Sequence, residues 1–346
     1  MVREEYPRPQ LRRDNWCNLN GEWEFCFDDS DAGLRERWFD CKVPFNQRIT
    51  VPYVYEAPLS GIDTRDRHEV VWYRREFDTP HMNADNRVLL HFGAVDYEAR
   101  VFLNGVPIAV HEGGETPFTV DITAFLRKTD TQILTVRVYD PLEDQEIPRG
   151  KQFWGEKPLG IWYTRSTGIW QTVWYEIVPR SYFERVVFTP DIDAGLVGIS
   201  VKVAGALPGQ RVAYSISYKG QSVAEGENAL VAVSAGALQW QVDLAQGDIF
   251  RTGFHTGEEY MWSPEFPNLF DVELSLVHAD REASTDCVWS YFGLPKIHAE
   301  HGMIFLNNKP YYQKLVLDQG YWPEGLLTAP TDDSFKRDIQ LAKEMG

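Results

Sequence analysis

From Trp23 to about Leu276 the dominant spacing between apolar residues is two. Leu238-Gln-Trp240-Gln-Val242-Asp-Leu244 alternates along its whole length, as do Val212-Ala-Tyr214-Ser-Ile216-Ser-Tyr218 and Phe270-Asp-Val272-Glu-Leu274-Ser-Leu276. Leu134, Val136 and Val138 alternate with Thr135, Arg137 and Tyr139. One face of each segment is apolar and the other solvated, which predicts half-buried antiparallel strands. Asn104-Gly105, directly after Arg100-Val-Phe-Leu103, predicts a tight hairpin turn, because both residues tolerate positive φ. Many short strands with turn residues between them predict a mainly β protein built from sandwiches.

The pattern shifts twice. Near Pro179-Arg180 an aromatic-rich block gives way to small alternating residues running from about Ile192 to Gln246. A first sandwich over 1–180 has jelly-roll size, and a second over 181–293 has immunoglobulin-like size. After Gly293, Gly302-Met-Ile-Phe-Leu306 turns at Asn307-Asn308, and Tyr312 to Leu317 follows as a more continuous apolar strand. Phe335, Ile339, Ala342 and Met345 then recur at helical spacing, with Thr331, Asp332 and Asp333 at the start and Gly346 at the end. Strand followed by amphipathic helix is one βα unit. Parallel strands occur in sheets covered by several such units, so 294–346 is expected to be the opening of an incomplete (β/α)8 barrel.

Composition adds limits. The 346 residues carry 34 Lys+Arg against 51 Asp+Glu, a formal net charge of −17 whose field repels phosphate backbones and argues against a nucleic-acid partner. No apolar run of about 18 residues occurs, so no membrane span is expected, and the N-terminus has no apolar signal-peptide core. Four cysteines (Cys17, Cys26, Cys41, Cys287) without C-x-x-C spacing read as free thiols of a cytoplasmic protein. The 12 Trp, 16 Tyr and 19 Phe exceed what one small core needs, and flat rings also stack on sugars.

No nucleotide-binding, zinc-protease or serine-hydrolase motif is present. His298-Ala-Glu-His301 would point its two imidazoles to opposite sides of an extended strand, and Asp28-Asp29-Ser30-Asp31 lacks the spacing of a calcium loop, so no metal or other cofactor is expected. With 51 carboxylates, a catalytic pair cannot be picked by counting, because glycosidase chemistry depends on a separation of about 5 to 9.5 Å that sequence does not supply. The better lead is Asp318-Gln319-Gly320-Tyr321-Trp322. Its acid, amide and two aromatics follow the strand of the βα unit, where barrel enzymes build their active-site face.

In this setting several stretches resemble the N-terminal part of glycoside hydrolase family 2, which includes β-galactosidases, β-glucuronidases and β-mannosidases. They are Leu19 to Phe25 (LNGEWEF), Val71 to Phe77 (VWYRREF), Leu89 to Gly105 (LLHFGAVDYEARVFLNG), His111 to Thr123 (HEGGETPFTVDIT) and Arg165 to Glu176 (RSTGIWQTVWYE). Trp262 to Leu274, Phe292-Gly293, Gly302 to Pro310 and Asp338 to Gly346 continue the likeness in the same order. The resemblance implies a retaining, cofactor-independent glycosidase whose two catalytic Glu residues lie on later barrel strands. No Glu here matches either catalytic motif, and none is assigned.

The resemblance also implies that the jelly roll walls one side of a sugar pocket. Candidate substrate-binding residues are Asp318, Gln319, Tyr321, Trp322, Trp154, Trp162 and Arg165. Trp162 stands where several members place an acid just before the R-x-x-G-I stretch, a departure from galactosidase- or glucuronidase-type pockets. Leu142-Glu-Asp144-Gln-Glu146 echoes an acidic loop of some galactosidases but lies too far upstream, and Pro295 replaces the family's basic residue after F-G-x. The expected partner is a glycoside. Family members assemble into dimers or tetramers, which puts a homo-oligomer within expectation. The alternative is a stand-alone β-sandwich module that binds carbohydrate or protein.

Overall fold

The computed structural model describes residues 2–40, 43, 45–155, 157–229, 236–246, 258–278 and 281–346. Cys41 lies outside them. The chain divides into two compact units. One comprises Met1–Pro7, Asn15–Ile177 and Val316–Gly346, and the other Arg8–Asp14 and Val178–Leu315.

The first unit contains β1 (Trp16–Asn18), β2 (Gly21–Phe27), β3 (Gln47–Val51), β4 (Val70–Asp78), β5 (Asn86–Phe92) and β6 (Val95–Asp96). It continues with β7 (Glu98–Leu103), β8 (Val106–Glu112), β9 (Phe118–Asp121), β10 (Thr131–Tyr139), β11 (Gly168–Ile169) and β12 (Val173–Pro179). A six-stranded sheet in the order β3-β2-β4-β10-β7-β8 faces a four-stranded sheet in the order β1-β12-β5-β9, and β11 pairs with β6 at one side. This is the jelly-roll-like sandwich. Trp23, Phe25 and Tyr73 from the larger sheet share a core with Leu90, Phe92 and Val173 from the smaller one, all fully buried. The predicted hairpin forms: Asn104 (φ 55°) and Gly105 (φ 82°) join β7 to β8, both in the left-handed region that matches strand twist.

The second unit is an immunoglobulin-like sandwich. Its strands are β13 (Tyr182–Asp191), β14 (Leu196–Ala204), β15 (Gln210–Tyr218), β16 (Gln221–Ala229), β17 (Ala237–Asp243), β18 (Phe270–His278) and β19 (Arg281–Phe292). They form sheets β13-β14-β17 and β16-β15-β18-β19. In β18, Phe270, Val272, Leu274 and Leu276 are buried while Asp271 and Glu273 are exposed, which is the alternation the sequence shows. Residues 8–14 belong to this unit. Arg13 donates to both carboxylate oxygens of Asp286 (3.1 and 2.9 Å) and to the Phe183 carbonyl (2.7 Å), and Phe183 N–H donates to Asp286 (2.8 Å). A small sheet of β20 (Ile297–Glu300), β21 (Met303–Leu306) and β22 (Lys309–Pro310) follows, turning at Asn307 and Asn308 as expected.

The strand expected over Tyr312 to Leu317 does not form. Residues 311–320 carry no regular secondary structure, and Tyr312 (87%), Leu315 (79%) and Leu317 (85%) are largely exposed. A strand exists only through hydrogen bonds to neighbours, and a parallel sheet supplies them only when several units close around it. The helix does form, as α1 (Asp332–Glu344), with Asp332 and Asp333 in its first turn and Lys343 in its last, both favourable to the helix dipole. None of its residues is buried. Residues 316–346, read with 294–315 as a barrel opening, group with the first sandwich.

Candidate functional site

β10 and β11 are joined by 28 residues (140–167), far beyond the common length of a connection, and such loops are usually functional. Its two limbs are tied together by backbone. Phe153 N–H donates to the Tyr163 carbonyl and Tyr163 N–H to the Lys151 carbonyl, both at 2.8 Å. The joint brings two predicted residues together: Trp154 and Trp162, one step outside it on either limb, meet edge-to-face with centroids 5.3 Å apart. Both are half-buried, and Leu159 and Ile161 near the tip are exposed.

The 318–322 segment contributes in part. Tyr321 stacks on Tyr163 at 4.2 Å with ring planes 11° apart, which joins it to the same wall. Trp322 turns elsewhere and packs edge-on against Phe335 of α1, 5.1 Å away. Asp318 is exposed and caps its own turn by accepting from Gly320 N–H (2.8 Å), and Gln319 is half-buried. Thr328 anchors this segment to the sandwich, donating to the carbonyls of Pro52 (3.1 Å) and Trp170 (2.6 Å).

Arg165 is not at the surface. It is 4% exposed, donates to the carbonyls of Arg65 (3.0 Å) and Asp66 (2.6 Å), and faces the fully buried Glu56 across 3.6 Å. The reason is local: the R-S-T-G-I stretch runs inward to start β11, so its first side chain is carried under the loop. Thr167 N–H donates to Glu56 (3.2 Å) and its hydroxyl to Asp140 (2.7 Å). Ser166 N–H donates to the Gln152 side chain, whose amide donates to Asp96, both at 2.6 Å.

Burial dominates the electrostatics. It pushes Glu56 up to about 7 despite the opposing pull of Arg165. Asp96 is held well above the usual carboxylate range by burial first and by the charge of Asp140 second. Asp140 is raised mainly by burial. Burial also raises the Tyr321 phenol, with the charges of Asp96 and Glu115 adding to it. Gly114 packs so closely on Asp96 that a Cβ there would lie 2.2 Å from its carboxylate oxygen, and the Trp170 indole donates to the Gly114 carbonyl (2.7 Å).

Sequence reasoning missed Glu56, Asp96, Asp140 and Gln152. A signal existed for one of them: Asp96 lies within the matched stretch Leu89 to Gly105, while Gly114, Arg165 and Trp170 lie within two others, and the fold brings these stretches together. Nothing in the local sequence marks Glu56. Among the described residues no three His, Cys, Asp or Glu side chains are grouped to hold a metal.

The first unit is thus a jelly-roll-like sandwich bearing aromatic pairs and buried acids, and the second an immunoglobulin-like sandwich. Residues 16–156, all within the first unit, match the model of "Glycosyl hydrolases family 2, sugar binding domain". The chain is 25% identical over 337 residues to a β-glucuronidase of Canis lupus familiaris, covering 89% of this chain and 48% of that protein. It is 23% identical over 297 residues to a β-galactosidase of Thermoanaerobacter pseudethanolicus, covering 85% of this chain and 37% of that one. Among solved structures, the Ruminococcus gnavus β-glucuronidase superposes with a TM-score of 0.75 at 20% identity, over 99% of this chain and 55% of that one. The chain spans about half the length of the curated glucuronidases it matches.

Proposed function

We propose that this chain is the N-terminal, pocket-walling part of a retaining glycosidase of the family 2 type, acting on O-glycosidic bonds, with its catalytic Glu pair outside these 346 residues. The observation that carries this reading is the wall itself, where Trp154 meets Trp162 and Tyr163 stacks on Tyr321, with Tyr163 bridged through its backbone to Gln152, which holds Asp96. Flat rings can stack on a pyranose, and the polar groups can fix its hydroxyls. Such a wall lowers the barrier by orienting substrate, not by moving a proton. Residues 294–346 are the approach to the barrel. The unbridged Cys17, Cys26 and Cys287 support a reducing, cytoplasmic setting.

A second reading, a stand-alone binding module, is favoured by the first unit's self-contained core. One pair of measurements separates them. The chain alone is incubated with aryl β-glucuronides, β-galactosides and β-mannosides, and titrated calorimetrically with mono- and oligosaccharides. The pocket-wall reading expects no turnover and weak or undetectable binding. Steady hydrolysis surviving purification would refute the missing-pair reading, and saturable binding in the micromolar range would favour the module.

A further inference from the structure

Three consecutive residues at the inner end of the long loop, Arg165, Ser166 and Thr167, each engage a different part of one buried polar ladder. Arg165 faces Glu56, Ser166 reaches Asp96 through Gln152, and Thr167 bridges Glu56 and Asp140. The ladder's three carboxyls, Glu56, Asp140 and Asp96, are 0%, 7% and 4% exposed. Three bare carboxylates in so dry a place would repel one another strongly, so the ladder has to hold protons or lean on cations.

The cations available are few. Arg165 faces both Glu56 and Asp140, and Arg149 faces Asp140 while donating to the carbonyls of Pro141 and Leu142 (both 3.2 Å). The remaining neighbours add no positive charge: the phenols of Tyr55 and Tyr73 lie beside Glu56, Glu69 faces Asp140, and Glu115 faces Asp96. Glu56 meets Arg165 at 3.6 Å, too long for a hydrogen bond, so the pair has room to tighten when Glu56 is charged and to relax when it is neutral. Relaxed, Arg165 keeps its two carbonyl partners at Arg65 and Asp66.

Whatever moves at Arg165–Thr167 and Gln152 moves the base of both limbs, because Lys151, Phe153 and Tyr163 form the joint and Trp154 and Trp162 follow directly outside it. We infer that Glu56 and Arg165 are positioning residues, and that the protons held by the ladder beneath them set how the loop presents Trp154 and Trp162. Burial places the Glu56 change near neutrality. The structural claim stands without the glycosidase reading; only its consequence for sugar binding rests on that reading.

The test uses the whole chain labelled with 5-fluorotryptophan, with the fluorine resonances of Trp154 and Trp162 assigned by Trp154→Phe and Trp162→Phe. Both resonances are expected to shift in one pH transition with a midpoint near 7. Glu56→Gln is expected to abolish it, and Arg165→Lys, which keeps the charge but loses the planar fork, to move its midpoint. Resonances that stay fixed across the range, or a transition unchanged in Glu56→Gln, would overturn the inference. Should Glu56→Gln fail to fold, Arg165→Lys decides: an unmoved midpoint overturns it. No substrate is involved, so failure to hydrolyse or bind glycosides would bear on the proposed function alone.

Discussion

Gly168, the glycine of the R-S-T-G-I stretch, sits at the start of β11 with φ +110°, a region L side chains rarely adopt. A Cβ added there would lie 2.0 Å from the Tyr73 hydroxyl oxygen and 3.0 Å from the carbon that bears it. Tyr73 is fully buried in β4, where neither flanking strand can give way cheaply. Gly168→Ala therefore incurs two separate costs, backbone strain of about 1–3 kcal/mol and overpacking of similar size. The expected loss is about 2–6 kcal/mol, confined to the first unit.

The two costs can be separated by removing the Tyr73 hydroxyl, the atom nearest to the added methyl. Tyr73→Phe alone is expected to cost no more than about 1 kcal/mol, since it removes a buried hydroxyl together with its backbone contact at Ile169. In the double variant the nearest atom to the new methyl is the ring carbon at 3.0 Å, a contact relieved by a small ring shift. Roughly half of the Gly168→Ala loss should return, leaving the dihedral part. Urea unfolding followed by tryptophan fluorescence gives the four midpoints of this cycle. A Gly168→Ala chain unfolding at the wild-type midpoint would refute the reasoning, and a double variant no better than Gly168→Ala would show that the hydroxyl is not the obstacle.

Further outcomes follow from the same structure. Glu56 has its folded value raised from 4.5 to about 7, so its stabilising contribution is complete below pH 4.5 and is lost as pH rises through 7. That difference is worth about 3 kcal/mol; urea midpoints compared at acidic and mildly alkaline pH should show it in wild type and lose it in Glu56→Gln. Arg13→Ala strands the buried Asp286 carboxylate and should cost the second unit about 3–5 kcal/mol, with Asp286→Asn in the same chain recovering part of it in thermal unfolding. Gly105→Ala, at φ +82° and 3.1 Å from an Asp40 oxygen, should cost about 1 kcal/mol and slow formation of the β7–β8 hairpin in stopped-flow refolding.

Strands β10, β15, β17 and β18 were legible because burial on one face writes a period of two into the sequence, and they fall where the alternation placed them. The turn at Asn104-Gly105 was legible for a different reason, the steric tolerance of those two residues. The 312–317 segment was misread because an apolar run records what a stretch would bury, not whether a partner lies beside it. Leu315 and Leu317 have the composition of a strand but no ladder to join. Segment 8–14 was invisible to periodicity for a related reason: its place in the second unit rests on long-range contacts, Arg13 with Asp286 and Phe183 and the Arg12 backbone with Trp289, and such contacts leave no period.

The site divides along the same line. Trp154, Trp162 and Tyr321 could be named in advance because aromatic side chains in long, turn-rich segments stand out against their neighbours, and the fold brings two of them into contact and stacks the third on Tyr163. Arg165 was named as a substrate-binding candidate, and the structure places it beneath the loop, because a motif fixes a residue's identity and not the side of the loop it faces. Glu56 could not be named at all. It is one of 51 acids, and it differs from the others only in its surroundings: complete burial, a guanidinium 3.6 Å away and a threonine amide on its other oxygen. An ordinary carboxyl becomes a group titrating near 7 through contacts from segments about 110 residues apart in sequence, so its chemistry belongs to the fold. The visible aromatics and the hidden ladder are joined through the base of one loop, which is held by groups buried too deeply to leave a local sequence signal.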